Sequence, residues 1–348
     1  FKQKTAYEML RSLVGSEMCI RDRFNRLILI SVALALCVVV FGAYVRLTDA
    51  GLGCPDWPGC FGTLSVPESQ EAILLAQLDY PDSFVDVGKA WREMIHRYIA
   101  TILGVFVLCI TYFAYKNKDE IKVRVTTVYC LLALIIFQGL LGMWTVTELL
   151  YPAIVTAHLI GGMSTLGLLT YIAHRHHGSI SNTIIIAPKI KFFVRLALPL
   201  LFIQILLGGW TSTNYAALAC TDYPTCHGSL IPDMDFVNGF TIFRDLGLTA
   251  FGEPLSIEAL YAIQWVHRVG AIVLTIYLVL LAYYLKAYPG INMYRSFLII
   301  AIIFQFIIGV ANLLFYLPLV LATMHNLGAA LLVIILVIIN SRITQQYD

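Results

Sequence analysis

Eight uninterrupted apolar runs, each about twenty residues long, leave this chain very few ways to fold. A helix needs about 20 residues to cross the ~30 Å hydrocarbon core of a bilayer, and it satisfies its backbone N–H and C=O groups internally. The runs lie near 24–47, 92–115, 123–146, 153–174, 190–212, 258–285, 295–315 and 319–341. They are continuous rather than alternating, which excludes a porin-type barrel. The 348 residues are 59% hydrophobic and 13% charged, against roughly 45–50% and about 25% for soluble domains. A soluble enzyme is therefore excluded. A net charge of +2 without a basic block argues against nucleic-acid binding. The expected fold is an all-α integral membrane protein with eight transmembrane helices.

The connections alternate in character. Those around 116–124, 175–195 and 286–295 are short and basic, whereas 48–90 and 213–257 are long, acidic and rich in Pro and Gly. Of the 23 Lys and Arg, only Arg46, Lys89, Arg92, Arg97, Arg244 and Arg268 fall on the long-loop side. The positive-inside rule then puts the long loops outside and both termini in the cytoplasm, in a multi-pass cell-membrane protein. Residues 1–23 are polar, resemble translated adapter sequence, and are expected to be a non-native or disordered tail. The remaining boundaries are 24–174 and 190–342 for two four-helix bundles, 175–189 for a cytoplasmic linker and 343–348 for a cytoplasmic tail.

Two bundles are expected because the halves repeat. FGAYVRLTDAGLGCPDWPGCFG (41–62) aligns with LGGWTSTNYAALACTDYPTCHG (207–228), EMIHR (93–97) with QWVHR (264–268), IIFQGLLG (135–142) with IIFQFIIG (302–309), and TAHLIGG (156–162) with TMHNLGA (323–329). The order is the same and the offsets run from 166 to 171 residues. Four spans per unit give both halves one orientation, the parallel-repeat arrangement.

Four of the eight histidines belong to the repeat: His96 and His158, then His267 and His325. Each sits five to nine residues inside the outer end of an even-numbered span, roughly 8–14 Å deep. Ionisable residues inside a membrane mark functional sites by default. Two imidazoles from facing helices at one depth suit the axial positions of a haem iron, with Gly161, Gly162 and Gly328 leaving room for a planar ring. Arg97 and Arg268 could meet propionates; each His could alternatively bond a neighbouring helix. A zinc site would call for three or four ligands and fits less well. His174, His176 and His177 read as a solvated cluster at the inner end of span 4. His227 reads as a loop surface residue, or as a group lying over the cofactor.

The repeat breaks where chemistry would need it to. Glu93, on the face of His96, is replaced in the second half by Gln264, and Arg46 by Ser212. A carboxylate beside an iron site can accept a proton where an amide cannot; a buried Glu bonded to its neighbours is the other reading. The first half is thus expected to be reactive and the second to transfer electrons. Cys54 with Cys60, and Cys220 with Cys226, read as disulfides in the oxidising outer loops. For the first pair, structural and redox-active roles stay open; for the second, the structural role is favoured.

The Arg-containing exit of span 1, Glu-x-x-His in span 2, a His opening span 4 and the repetition of this scheme resemble the haem A synthase family, in its subgroup with outer-loop cysteine pairs. The resemblance covers about 24–342. It implies oxidation of the C8 methyl of haem O to a formyl group, giving haem A for terminal oxidases. It implies haem b at the positions matching His267 and His325, and substrate haem O at those matching His96 and His158. Glu93 matches the family's required carboxylate, and Cys54 and Cys60 its first-loop pair; Arg46, Arg97 and Arg268 are additional expectations. Haem O synthase and oxidase-assembly factors are the implied partners, alongside membrane lipid. The oligomeric state stays open. The competing readings are a two-haem b-type cytochrome that only transfers electrons, and a parallel-repeat transporter.

Overall fold

In the computed structural model, residues 6–177 and 184–344 are described. Among the described residues, eight long apolar helices form the body. They are α1 (Ala6–Leu47), α3 (Val87–Lys116), α4 (Val125–Thr147), α5 (Pro152–His177), α6 (Pro188–Thr213), α8 (Ile257–Leu285), α9 (Asn292–Leu314) and α10 (Leu319–Thr344). At ~1.5 Å per residue even the 23-residue helices reach about 35 Å. Two short helices, α2 (Gln70–Asp79) and α7 (Phe236–Phe240), decorate the long loops and had no apolar run to announce them. Ser69 caps α2 and Asp235 caps α7 through their side chains.

The helix α1 continues back through residues 6–23, where a separate tail was expected, although its membrane-length part begins at Arg21. Residues 1–5, 178–183 and 345–348, which include parts of the expected tails and linker, lie outside the described residues. Helices α3 and α8 are capped by Asp86 and Ser256, so α3 starts before the apolar run does.

Packing closes two rings of four. In the first, α1 packs on α3, α3 on α4, α4 on α5 and α5 on α1; in the second, α6, α8, α9 and α10 follow the same order. The rings meet through α1, α5, α6 and α10. The α5–α10 crossing is close at Gly167, where an added Cβ would stand 3.4 Å from Val333. Met163, Leu166, Leu169 and Ile172 of α5 are wholly buried there, while Ile102, Leu108, Ile136, Val279 and Ile303 are exposed on the outside, as lipid contact requires.

The duplication extends to backbone detail. Left-handed φ values occur at Asp49 and Tyr215, Phe61 and His227, Leu149 and Tyr316, and Leu150 and Leu317, each pair 166 or 167 residues apart. His176 departs from the solvated cluster expected of it. It is 1% exposed, lies edge-on to Phe24 at 4.8 Å and accepts from the Lys122 N–H at 3.4 Å. It therefore pins the α3–α4 connection to α1 and α5. The side chain of His177 lies outside the described residues.

Candidate functional site

The four repeated histidines occupy matching places. His96 on α3 and His158 on α5 belong to helices that sit across the first ring from one another; His267 on α8 and His325 on α10 do the same in the second. His96 lies within electrostatic range of His158, and His267 of His325. Each ring rests against a glycine of an adjacent helix. A Cβ built on Gly42 would stand 2.9 Å from Cε1 of His96; on Gly142, 3.5 Å from His158; on Gly208, 3.0 Å from His267; on Gly309, 3.1 Å from His325. The absence of a side chain at these positions sets how far each imidazole leans back from the ring centre.

These were not the glycines picked out from the sequence. Gly161 and Gly328 receive the side chains of Gln138 and Gln305, and Gly162 packs on Val39. The signal for the right ones was present: Gly42 and Gly208, and Gly142 and Gly309, are repeat mates.

The imidazoles differ in their anchoring. The amide nitrogen of Gln204 lies 2.9 Å from Nδ1 of His267 and donates to the His267 carbonyl, also at 2.9 Å. Its repeat mate in the first half is Val38. The Gln305 amide nitrogen lies 3.3 Å from Nε2 of His325. In the first ring, Nδ1 of both His96 and His158 is buried with no hydrogen-bond partner. Nδ1 of His325 is likewise unpartnered, so of the four imidazoles His267 is the one anchored through Nδ1.

Glu93 and Gln264 perform the same structural task. Glu93 is 4% exposed; its Oε2 accepts from the Cys54 N–H at 3.0 Å and its Oε1 from Arg97 at 2.5 Å. Gln264, also 4% exposed, accepts from the Cys220 N–H at 2.5 Å and donates to the Ala217 carbonyl. Each therefore ties the first cysteine of a loop to the helix that bears a His three residues on. Both cysteine pairs, Cys54–Cys60 and Cys220–Cys226, are disulfide-bonded and essentially inaccessible.

Arg97 and Arg268 clamp these loops by their backbones. Arg97 donates to the carbonyls of Asp56, Pro58 and Gly59; Arg268 donates to those of Cys220, Asp222 and Thr225. Asp56 accepts from the N–H groups of Phe61 and Gly62, and Asp222 from those of His227 and Gly228. The Thr225 hydroxyl and the Gly228 and His227 amides hold the Asp222 carboxyl well below the usual carboxylate range. His227 itself is exposed, with Nε2 3.0 Å from the Ala219 carbonyl, so it belongs to the loop surface.

Arg46 joins the two rings. It donates to the carbonyl of Ser212, its own repeat mate, at 2.8 Å and stacks over Tyr215 at 4.3 Å, and the Tyr215 hydroxyl donates to Asp49 at 3.0 Å. Contact between repeat mates places this cluster on the pseudo-twofold axis. Arg46 and Ser212 each lie one helical turn beyond the glycines that back His96 and His267.

Among the described residues no group of three or more His, Cys, Asp or Glu converges as a metal cage. The donors available are two imidazoles per ring. An iron porphyrin brings four equatorial nitrogens of its own and asks the protein only for axial ligands. Half-buried rings, orphaned buried nitrogens and glycines that let the imidazoles draw back all suit such a planar guest. Ligation through Nε2 of His325 would replace its contact with Gln305.

The fold and site define a duplicated eight-helix membrane protein with one intramembrane histidine pair per bundle. The family described as cytochrome oxidase assembly protein matches residues 25–337, and this chain belongs to it. A protein of Shewanella oneidensis named heme A synthase is 41% identical over 319 residues, covering 90% of this chain and 94% of that protein. Heme A synthases of Rickettsia felis and Neorickettsia sennetsu are 27% and 26% identical, covering 91% and 87% of this chain and 97% and 94% of their own.

Proposed function

We propose that this protein is a haem A synthase, an oxidoreductase that converts the C8 methyl of haem O to the formyl group of haem A. The observation that carries the reading is the glycine-backed imidazole pair, present once in each bundle, with a carboxylate, Glu93, three residues before a histidine of only one of them. The relatives' name supports the same reaction. His96 and His158 hold the substrate haem; His267 and His325 hold a resident haem b. When bound, haem b supplies a one-electron relay for the electrons leaving the methyl carbon.

The protein's own part is to bind, orient and move protons. Gln204 holds His267 through Nδ1, which leaves Nε2 for a permanent guest; neither histidine of the first pair has such an anchor, which suits a guest that must leave as product. Glu93 accepts protons released beside His96, and Arg97 keeps a cation at its carboxylate throughout. Because Glu93 also holds the Cys54 N–H, it stays in register with its helix. Arg46 carries positive charge between the two sites, and Arg97 and Arg268 reach propionates only by giving up loop carbonyls. The protein lies in the cell membrane with both termini cytoplasmic, receives haem O from a haem O synthase, and passes haem A toward oxidase assembly.

The test is to add haem O and an electron acceptor to the purified protein and follow the formyl-haem absorption and product mass. Conversion is expected. Unchanged haem O with two intact bis-histidine haems would instead leave an electron-carrying b-type cytochrome. Purified protein that never binds haem would overturn both.

A further inference from the structure

Gln138 on α4 is 7% exposed, and its amide nitrogen is buried with no hydrogen-bond partner. A buried donor left unbonded is costly, above all inside a bilayer, so such a group calls for a partner. Its place in the site says what kind. Gln138 lies one turn from Gly142, the glycine that backs His158, and its amide rests on Gly161, one turn beyond His158 on α5. The α4–α5 turn lies against the first disulfide loop, with Leu150 beside Gly51. Both steps therefore lead away from that loop. The amide sits beneath the first imidazole pair, at the edge of the site opposite Arg46 and Arg97.

The second bundle furnishes the comparison. There Gln305 takes the place of Gln138, but its amide nitrogen lies 3.3 Å from Nε2 of His325. Phe304 is half-buried, and a Cβ added to Gly328 would stand 3.2 Å from its ring. Ala329 stands where the first bundle has Gly162. The mate of Phe304 is Phe137, which is 47% exposed and meets Trp144 edge-on at 6.5 Å. The same edge is thus filled by an aromatic ring and an extra methyl in the second bundle. In the first it is roomier and carries an unbonded amide.

Haem O bears a hydroxyethylfarnesyl group where haem b has a vinyl, and that group lies across the macrocycle from the propionates. Charged propionates take the cationic, loop-side edge of a site in a membrane. The hydroxyl then falls at the opposite edge, beside Gln138. The same orientation puts the C8 methyl, which neighbours a propionate, on the side of Glu93. We infer that the Gln138 amide hydrogen-bonds the hydroxyl of the substrate's side chain and so sets the preference of the first site for haem O over haem b. The inference rests on the haem A synthase reading. The roomier edge admits the bulk of the chain, and the amide recognises its hydroxyl; a haem without that hydroxyl leaves a buried polar group unpaired, which is how such sites discriminate.

The test titrates full-length protein, already loaded with haem b, with haem O and with its dehydrated derivative, which keeps the farnesyl chain but has an alkene in place of the hydroxyl. Ligation is read from the Soret band. The parent should bind haem O about tenfold more tightly than the derivative, the worth of one buried hydrogen bond. Gln138→Leu should bind the two alike. The ratio is taken within one protein, so lost stability does not mimic that result, and retained haem b reports that the variant is folded. A Gln138→Leu variant that keeps the tenfold preference overturns the inference. A parent that converts haem O yet binds both haems equally overturns it too, and leaves the haem A synthase reading standing. A parent that binds no haem O overturns that reading, and the inference with it.

Discussion

Replacing Glu93 by glutamine makes the first loop anchor resemble the second, and the second bundle shows what that costs. The Cys54 N–H keeps an acceptor, as the Cys220 N–H has in Gln264. Arg97 loses its counter-charge but keeps three loop carbonyls, the same set-up that satisfies Arg268. The loss is then the difference between a charge-assisted and a neutral hydrogen bond, about 1 kcal/mol. Glu93→Ala is another matter. It removes the anion too, and in addition orphans the buried Cys54 N–H, and an unsatisfied buried donor costs a further ~1–3 kcal/mol. Thermal unfolding in detergent, read alongside haem content and haem A output, separates the two. Glu93→Gln should unfold near the parent temperature with both disulfides and haem b intact, and make no haem A. Glu93→Ala should be markedly less stable. Parental haem A output from Glu93→Gln would end the proton-acceptor assignment. Collapse of Glu93→Gln to the stability of Glu93→Ala would refute the comparison between mates.

Three other outcomes follow from the geometry. Gly42→Ala pushes a methyl to 2.9 Å from His96, whereas Gly142→Ala meets His158 at an ordinary 3.5 Å, so haem O titration should show at least tenfold weaker binding for the first and little change for the second; equal effects would dismiss the glycine backing. Cys54, Cys60 and Cys220 are fully buried and Cys226 is 2% exposed, so millimolar dithiothreitol without denaturant should leave both disulfides unalkylated in the folded protein, and alkylation of Cys54 and Cys60 would mean that the first loop opens. Because the Asp222 carboxyl is held below its ordinary value, the stability its bonds lend the loop is full above about pH 4, the ordinary carboxylate value, and is lost gradually as the pH falls from there toward the depressed one; amide-exchange protection of His227 and Gly228 should be flat from pH 7 to 5 and decline gradually below about pH 4, and a fall already at pH 6 would assign it to another group.

The amino-acid order alone determined the number of spans, the duplication, the four histidines and the two cysteine loops. A bilayer forces every spanning segment into an apolar helix, and the repeat offset makes equivalent residues recognisable without coordinates. It also flagged the Glu93–Gln264 difference, because mates can be compared position by position. What it left open was contact. Arg97 reaches carbonyls about forty residues away, Arg46 touches a residue 166 positions on, and His176 turns inward onto Phe24. Repetition says which residues are alike, not which meet. That depends on how far each helix rotates about its axis and how the rings close, and these are decided by side-chain packing summed over the whole bundle. The tertiary structure therefore decided which glycines back the imidazoles, that the arginines clamp loops, and that the two sites share a clasp on the pseudo-twofold axis.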